Sequence, residues 1–248
     1  MVIGIIPARY ASSRFPAKML APIHGKTLLQ RTYESAKESV KTGVNTSASL
    51  DALIIATDDE RIYAHAQEFG ATCYMTPASC RDGTERIVAL LNEHPDLAKS
   101  EIIVNIQGDR PCIARETIDS VVHALKSSPK DVVATPVVKM TAPHEIMNPA
   151  SVKCVFTKEK YALYFSRSPI PTMREGVAYY KHVGIYAYRP AFLLELATLP
   201  HTPLQQYEDL EQLKVLEHGY AIKVVEVAGD DPSVDYPEDI FKIEKLLC

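Results

Sequence analysis

Short apolar runs alternate with helix-like patterns through the first half of the chain. Val2–Ile6, Leu53–Ala56 and Ile102–Ile106 are continuous apolar runs of the length that buried strands have. The same patterns predict helices at Thr27–Val40 and Thr117–Leu125, and strands at Thr72–Met75 and Val132–Val138. This alternation predicts an α/β fold, with a largely parallel sheet and helices on both of its faces.

One strand–helix–strand unit also carries end signals. Thr57 followed by Glu60 has the spacing of a capping box, so a helix is predicted from there through Phe69. Gly70 is predicted to end that helix.

The pattern changes from about Val152. The stretches "SVKCVF", "KHVGIYAY" and "AIKVVEV" predict strands of mixed pairing, and helices are predicted at Tyr207–Glu217 and Pro237–Leu246. We therefore expect residues 1–248 to form a single domain, with a core of about 1–150 and 221–248 and an inserted lobe of about 151–220.

Composition excludes several classes of protein. A net charge of −4 gives no general attraction to nucleic acid or to an anionic membrane. Apolar runs fall short of the ~18 residues of a membrane span, and the apolar start is too short for a signal peptide. The five cysteines include no C-x-x-C pair, which indicates reduced thiols and a cytoplasmic protein.

Three cations follow the first predicted strand. In "IIPARYASSRFPAKML" they are Arg9, Arg14 and Lys18, on a loop without the glycines that would bind phosphate through backbone N–H groups. The nearby "HGKT" has the end of a Walker A loop, but Leu20 stands where its first glycine would be. Side chains must then bind the anion, so we predict a triphosphate site; surface salt bridges are the alternative.

Two aspartates are expected at the same edge of the sheet. Asp109 lies in Gln107–Pro111 after a predicted strand, and Asp235 precedes the last predicted helix. Ligands of open parallel sheets bind beyond the carboxyl ends of the strands. Asp109 could instead form a turn and Asp235 could cap a helix, but together they predict a site for Mg²⁺ with substrate phosphates.

A third cluster lies in the second half. Glu208, Glu211 and Gln212 share one face of the helix predicted there, which is either a solvated face or a surface that recognises a polyol. Arg167 and His182 are candidates for binding an acid group. From spacing alone, His182 is better explained as a core histidine.

Motifs in order along nearly the whole chain resemble one family. They are "PARYASSRFPAKML", "ATDDERI", "GTERI", "VNIQGDRP", "ALYFSRSPIP", "HVGIYAYR", "LEQLKVLEHGYAI" and "SVDYPEDI". The set resembles the 3-deoxy-manno-octulosonate (Kdo) cytidylyltransferases of Gram-negative bacteria. The first motif is shared with other cytidylyltransferases, including CMP-sialate synthetases.

The resemblance implies a Rossmann-like, GT-A-like fold, a homodimer, Mg²⁺, and the reaction of CTP with Kdo to CMP-Kdo and diphosphate, for lipopolysaccharide synthesis. Activation of another acidic sugar, such as sialate, and a non-catalytic nucleotide-binding protein remain alternatives. Matched by motif, the residues would divide into a CTP-binding set (Arg9, Ser12, Arg14, Lys18), a metal-binding and catalytic pair assisted by Lys18 (Asp109, Asp235), and a sugar-binding set (Arg86, Gln107, Arg167, His182, Tyr186, Glu211, Gln212).

The chain departs from the family pattern at three positions. Arg110 replaces a glutamate beside Asp109, where its charge could compete with a metal or point away. Ala17 replaces a glycine, and we expect it to exclude the positive φ angle that glycine allows. Asp82 replaces the small polar residue before "GTERI".

Overall fold

The computed structural model describes residues 1–12, 15–43, 45, 47–172, 174, 176–229 and 232–247. The chain divides into two compact units, Met1–Asp119 with Asp231–Cys248, and Ser120–Asp230. The lobe expected at about 151–220 lies inside the second unit, which also contains residues 120–150 and 221–230. No helix in the described ranges is long and apolar enough to cross a membrane.

The first unit is built on parallel strands in the order β5-β4-β1-β6. Its strands and helices, labelled in chain order, are β1 (Val2–Ala8), β2 (Pro22–Ile23), β3 (Lys26–Thr27), α1 (Leu28–Lys37), β4 (Ala52–Thr57), α2 (Glu60–Glu68), β5 (Thr72–Met75), α3 (Gly83–Glu93), α4 (Pro95–Ala98), β6 (Ile102–Ile106), α5 (Arg115–Ser127, which continues into the second unit) and α10 (Asp239–Leu246). The predicted bounds of β5 and β6 are confirmed.

Parallel pairing brings the ends of these strands to one edge. Ile5 of β1 pairs with Ile54 of β4 on one side and with Asn105 of β6 on the other. β1 is buried along its whole length, which explains its continuous apolar sequence. The residues that follow β1, β4 and β6 therefore share the carboxyl edge of the sheet.

Two predicted helix starts are wrong. Asp59, and not Thr57, caps α2, because its carboxylate accepts a hydrogen bond from the Arg61 N–H at 2.9 Å. The last helix begins at Asp239 instead of Pro237. α2 ends at Glu68, one residue before the predicted end at Phe69, and Gly70, predicted to end it, has a φ of 72°.

The "HGKT" sequence forms a β-hairpin turn. β2 and β3 pair antiparallel, and His24 and Gly25 between them have φ angles of 43° and 77°. Two successive positive φ angles are typical of a tight hairpin turn, so this segment has no phosphate-loop geometry.

The second unit has the mixed pairing that its sequence predicts. Its elements are β7 (Val133–Met140), α6 (Pro143–Met147), β8 (Lys153–Phe156), β9 (Ala162–Ser166), β10 (Tyr179–His182), β11 (Ile185–Tyr188), α7 (Pro190–Thr198), α8 (Pro203–Glu208), α9 (Glu211–Glu217) and β12 (Lys223–Val227). β7 pairs antiparallel with β10 and β11 and parallel with β12, and β10, β8 and β9 follow in antiparallel order.

The helix predicted at Tyr207–Glu217 is in fact two helices. Asp209 has a φ of 52° after the end of α8, and α9 begins at Glu211. A left-handed residue breaks the helical repeat, so Glu208, Glu211 and Gln212 do not share one helical face. Gln212 is buried and Glu211 is exposed.

Candidate functional site

Lys18 begins the short 3₁₀ helix Lys18–Leu20 and is almost completely buried, at 8% exposure. The preceding Ala17 has a φ of 54°, so the expectation that alanine would exclude this backbone angle is wrong. The ammonium Nζ of Lys18 donates to Asp109 Oδ2 at 2.7 Å and to the Val234 carbonyl at 2.9 Å. One cation thus joins the first loop, the turn after β6 and the loop before α10.

Asp109 lies in a turn packed closely against β1. A side chain on Gly108 would lie 2.9 Å from Met19 Sδ and 3.2 Å from the Pro7 carbonyl, so any larger residue there would require its neighbours to move. The Val234 N–H donates to the Asp109 carbonyl at 2.9 Å. The predicted convergence of Lys18, Asp109 and the segment before the last helix is therefore confirmed.

Asp235 is held in place by α10 instead of capping it. The Asp239 carboxylate accepts from the backbone N–H groups of Asp235, at 3.1 Å, and Tyr236, at 3.0 Å. Burial by itself would raise the pKa of Asp239, but the hydrogen bond from Lys242 and those two backbone donors lower it below the ordinary value. The helix-cap alternative for Asp235 is therefore wrong, and its carboxylate remains a candidate ligand.

A buried ion pair supports the loop after β1. Arg86, with 2% exposure, donates to Asp58 Oδ2 and to Thr76 Oγ1, both at 2.7 Å. Asp58 Oδ1 accepts from the Tyr10 N–H at 3.5 Å. Arg86, which the resemblance assigns to the sugar, thus uses its guanidinium within the protein, and its role in sugar binding stays a prediction.

Arg9 and Gln107 lie along the same edge, after β1 and β6. The exposed Arg9 donates to the Arg81 carbonyl at 3.3 Å, and Gln107 donates to Asn105 Oδ1 at 3.3 Å. Ser12 is partly exposed. Arg14, the third predicted cation, lies outside the described residues.

Besides Ala17, the structure describes the other two departures from the family pattern. Asp82 caps α3, since its carboxylate accepts from the Glu85 N–H at 2.8 Å, as a small polar side chain would. Arg110 is buried, at 8% exposure, while the ion pair of Asp109 is made with Lys18.

In the second unit, the side chain of Arg167 is hydrogen-bonded to three backbone carbonyls. Its guanidinium donates to the carbonyls of Glu208 (2.8 Å), Asp209 (3.1 Å) and Pro149 (3.2 Å). The Glu208 carboxylate accepts from the Arg167 N–H at 2.9 Å and from Ser166 Oγ at 2.7 Å. Arg167 therefore braces the bend between α8 and α9.

A buried lysine lies next to this network. Lys153 Nζ donates to the carbonyls of Asn148, at 3.0 Å, and Arg167. Burial and the charge of Arg167 lower the pKa of Lys153, although Glu208 acts in the opposite direction.

His182 and Tyr186 lie together in the second unit. Their ring centroids are 5.3 Å apart, and His182 also packs edge-on against Phe165. His182 Nε2 lies 2.9 Å from Thr135 Oγ1, and the Tyr186 hydroxyl donates to Gln212 Oε1 at 3.1 Å. The 8% exposure of His182 fits the core interpretation made from spacing, and its role in binding stays a prediction.

Sequence reasoning missed Asp58, Asp239 and Thr135. Asp58 could have been found, because it directly follows a buried strand, and Asp109 likewise comes soon after one. No local signal marks Asp239 or Thr135, whose roles depend on chain segments brought near by folding.

The two aspartates predicted to bind a metal have the donor chemistry that a divalent cation needs. Asp109 and Asp235 supply the carboxylate oxygens that Mg²⁺ prefers, and the Val234–Asp109 hydrogen bond joins their segments. No group of three or more His, Cys, Asp or Glu ligands occurs among the described residues. Magnesium that binds with substrate phosphates needs only one or two carboxylates.

Both the fold and the charged edge of the sheet are those of a nucleotidyltransferase. The family model described as "Cytidylyltransferase" matches residues 3–226. The chain belongs to the cytidylyltransferase family.

Comparison with individual proteins gives a more specific result than the family model. The chain is 48% identical to the 3-deoxy-manno-octulosonate cytidylyltransferase of Protochlamydia amoebophila, over 100% of this chain and 94% of that protein. It is 49% identical to the protein of that name from Chlamydia trachomatis serovar L2, over 99% and 94%. A solved structure of CMP:2-keto-3-deoxy-manno-octonic acid synthetase complexed with CTP matches with a TM-score of 0.89 and 36% identity, over 99% of this chain and 98% of that one.

Proposed function

We propose that this protein transfers the cytidylyl group of CTP to Kdo, which yields CMP-Kdo and diphosphate for lipopolysaccharide synthesis. The observation that carries the proposal is the contact of Lys18 with both Asp109 and the Val234 carbonyl. This contact brings the Lys18 cation together with the segments of Asp109 and Asp235 at the carboxyl edge of a parallel sheet, where nucleotides bind. The full-length similarity to named Kdo cytidylyltransferases supports the choice of sugar.

The residues of the first unit position the triphosphate. Arg9 and Lys18 neutralise phosphate oxygens, and Ser12 offers a hydroxyl donor beside them. Lys18 is already held within the protein by two hydrogen bonds, so little reorganisation accompanies binding. Phosphoryl chemistry of this kind depends mainly on positioning and on neutralising charge.

Asp109 and Asp235 would hold Mg²⁺. When bound, the metal supplies charge neutralisation at the phosphates and lowers the pKa of a coordinated hydroxyl. Asp239 keeps Asp235 in place, and Gly108 allows the Asp109 turn to approach β1 closely.

In the second unit, we assign sugar recognition to His182, Tyr186, Gln212 and the exposed Glu211, with Arg167 supporting the loops around them. That Gln107 and Arg86 of the first unit also bind the sugar rests on the resemblance alone. Assembly as a homodimer and a cytoplasmic location rest on the resemblance and are part of this proposal.

The proposal is tested by measuring diphosphate release from CTP and Mg²⁺ with Kdo and with a panel of other acidic sugars. Diphosphate release with Kdo and with no other sugar of the panel supports the proposal. Preferential release with sialate would show that sialate is the sugar substrate. If calorimetry shows CTP binding while no sugar gives diphosphate, the protein is a non-catalytic relative.

Charge-removing variants test the two aspartates. Asp109→Asn and Asp235→Asn are each expected to lower kcat by about a hundredfold or more, because a carboxylate that would hold the metal at the reacting phosphates is lost. Asp96→Asn, at an exposed position far from these contacts in sequence, is the matched control and should leave kcat unchanged. Retained activity in either site variant would remove that residue from the proposed metal site.

A further inference from the structure

Tyr10 lies between Arg9 and Ser12 in the loop that follows β1, and it is half-buried. The guanidinium carbon of Arg61, on α2, lies 3.4 Å from the centroid of the Tyr10 ring. This is the distance of direct stacking, and a guanidinium over the face of an aromatic ring is held by cation–π attraction. A side chain of α2 therefore covers one face of a residue in the proposed triphosphate loop.

Asp59 fixes the guanidinium that makes this contact. Its Oδ1 accepts from Arg61 Nε at 2.9 Å, and its Oδ2 accepts from Arg61 Nη2 at 2.7 Å. The same carboxylate also accepts from the Arg61 backbone N–H at 2.9 Å. The pair is bidentate, so the plane of the guanidinium is set although the Arg61 side chain is 60% exposed.

The neighbouring aspartate acts on the backbone of Tyr10. Asp58 Oδ1 accepts a long hydrogen bond from the Tyr10 N–H, at 3.5 Å, and Asp58 Oδ2 is bound by the buried Arg86 at 2.7 Å. Asp58 and Asp59 directly follow β4, which pairs parallel with β1. Two adjacent residues at the end of one strand thus restrain the ring and the N–H of a residue that follows the next strand.

We propose that Tyr10 is a positioning residue, and that its stack on Arg61 orders the loop carrying Arg9 before a nucleoside triphosphate binds. The inference rests on the proposed function, in which Arg9 and Ser12 bind phosphate oxygens. A ligand that binds an ordered loop does not have to supply the free energy of ordering it, so the stack should increase the affinity for the nucleotide. The stack acts through the loop and not on the reacting atoms, so kcat should change little when it is removed.

A simpler explanation is that the charge of Arg61 attracts the nucleotide. The two explanations differ for Arg61→Lys, which keeps the charge but lacks the flat face and the bidentate fork. They also differ for Tyr10→Leu, which keeps Arg61 and removes the ring. Positioning predicts weaker nucleotide binding in both variants, and charge alone predicts it in neither.

Calorimetry with CTP and Mg²⁺, without sugar, measures the affinity. Arg61→Ala and Tyr10→Leu should each raise Kd for CTP about three- to fivefold, the equivalent of one exposed cation–π contact. Arg61→Lys should also weaken binding, and Tyr10→Phe should match the wild type because it keeps the ring. The double variant of Tyr10→Leu with Arg61→Ala should bind no more weakly than either single variant, because both changes remove the same contact. Lys37→Ala is the matched control, since it removes a cation 5.7 Å from the Tyr33 ring on α1 and should leave Kd unchanged.

NMR measures the stack and the order of the loop in the free protein. The Arg61 Nε–H resonance, assigned by its loss in Arg61→Ala, should lie upfield because of the ring current of Tyr10 and should move downfield in Tyr10→Leu. Relaxation of the ¹⁵N amides of residues 10–12 should show larger fast motion in both variants than in the wild type. Steady-state kinetics should show a higher KM for CTP, with kcat and KM for Kdo within about twofold of the wild type.

Wild-type affinity for CTP in Arg61→Lys, or additive losses in the double variant, overturns the inference in favour of charge alone. An Arg61 resonance without the upfield shift in the wild type overturns it as well, even if a variant does not fold. Because the NMR measurements need no substrate, failure of CTP binding or of Kdo turnover would overturn the proposed function, while the ordering of the loop by the stack is judged by relaxation alone.

Discussion

At the scale of single residues, Arg86 is a full positive charge with 2% exposure. Asp58 balances it at 2.7 Å, and Thr76 satisfies another of its N–H groups. An ion pair of this kind does not by itself show high stability, but removal of one partner leaves a charge that is buried and uncompensated. Since Asp58 also accepts from Tyr10, the pair connects the first loop to α3.

Asp58→Ala should therefore lower the free energy of unfolding by about 3–5 kcal/mol, measured by urea denaturation at pH 7. Lys99→Ala is the control, because the Lys99–Asp96 pair is 76% and 93% exposed and such pairs contribute about 0–1 kcal/mol. Similar urea midpoints for the two variants would show that the Arg86 charge is solvated or paired elsewhere.

At the scale of elements, the first turn of α10 acts on the loop before it. The helix N-cap Glu238 makes no side-chain cap bond, and Asp239 instead reaches back to two backbone N–H groups. This contact orders the segment that contains Asp235. Helix α10 therefore contributes to the candidate site without providing a ligand.

The contribution of Asp239 should depend on pH. Its pKa is lower in the folded protein than the ordinary 3.8, so the charged form is stabilised by folding. The stabilisation is fully present above about pH 3.8 and is lost as pH falls through the folded pKa. Asp239→Ala should cost about 1.5–3 kcal/mol at pH 7, and this difference from the wild type should shrink below pH 3.8.

Urea denaturation of both proteins between pH 7 and pH 2.5 measures this effect. Asp239→Asn keeps an oxygen acceptor and is expected to be intermediate at pH 7. A difference that stays constant through the acid range would show that the lost stability comes from packing and not from the carboxylate.

At the scale of the whole molecule, each unit has a buried thiol, and its low reactivity shows that the unit is folded. Cys73 on β5 and Cys154 on β8 are 7% and 1% exposed. Burial raises the pKa of Cys73 to about 12, against a slight opposite effect of the Tyr74 N–H, and burial also raises the pKa of Cys154. Both thiols are thus in the unreactive, protonated form.

In the native protein at pH 8, iodoacetamide should modify the partly exposed Cys80 before Cys73 and Cys154. The rise in the pKa of Cys73 from 9.0 to about 12 alone reduces its thiolate fraction about a thousandfold. Because Cys73 and Cys80 lie on one tryptic peptide, residues 62–81, the order is measured by tandem mass spectrometry, which locates the label within the peptide. Labelling in urea shows that all three sites react once unfolded. Equal native rates at Cys73 and Cys80 would contradict the burial of β5.

Predictions from sequence succeeded where a pattern is local. Thr72–Met75 and Ile102–Ile106 were predicted to the residue. The second is an apolar run between Glu101 and Gln107, and the first follows closely on Gly70, which ends the preceding helix. The split between α8 and α9 was missed, since Asp209 has a left-handed backbone that is uncommon for a residue other than glycine. The cap at Thr57 was wrong because the helix begins at Glu60, and Asp59 is the residue whose side chain accepts from the first turn, at the Arg61 N–H.

The sequence alone determined the alternation of strands and helices and, through the motifs, the family. It also placed Lys18 and Asp109 after parallel strands, which must end at one edge of the sheet. Only the tertiary structure decided the partner of each charged or polar side chain. Lys18 and Asp109 are 91 residues apart, and Thr135 and His182 are 47 apart. Such pairs leave no periodic signal in the chain, because they form only when distant segments pack together.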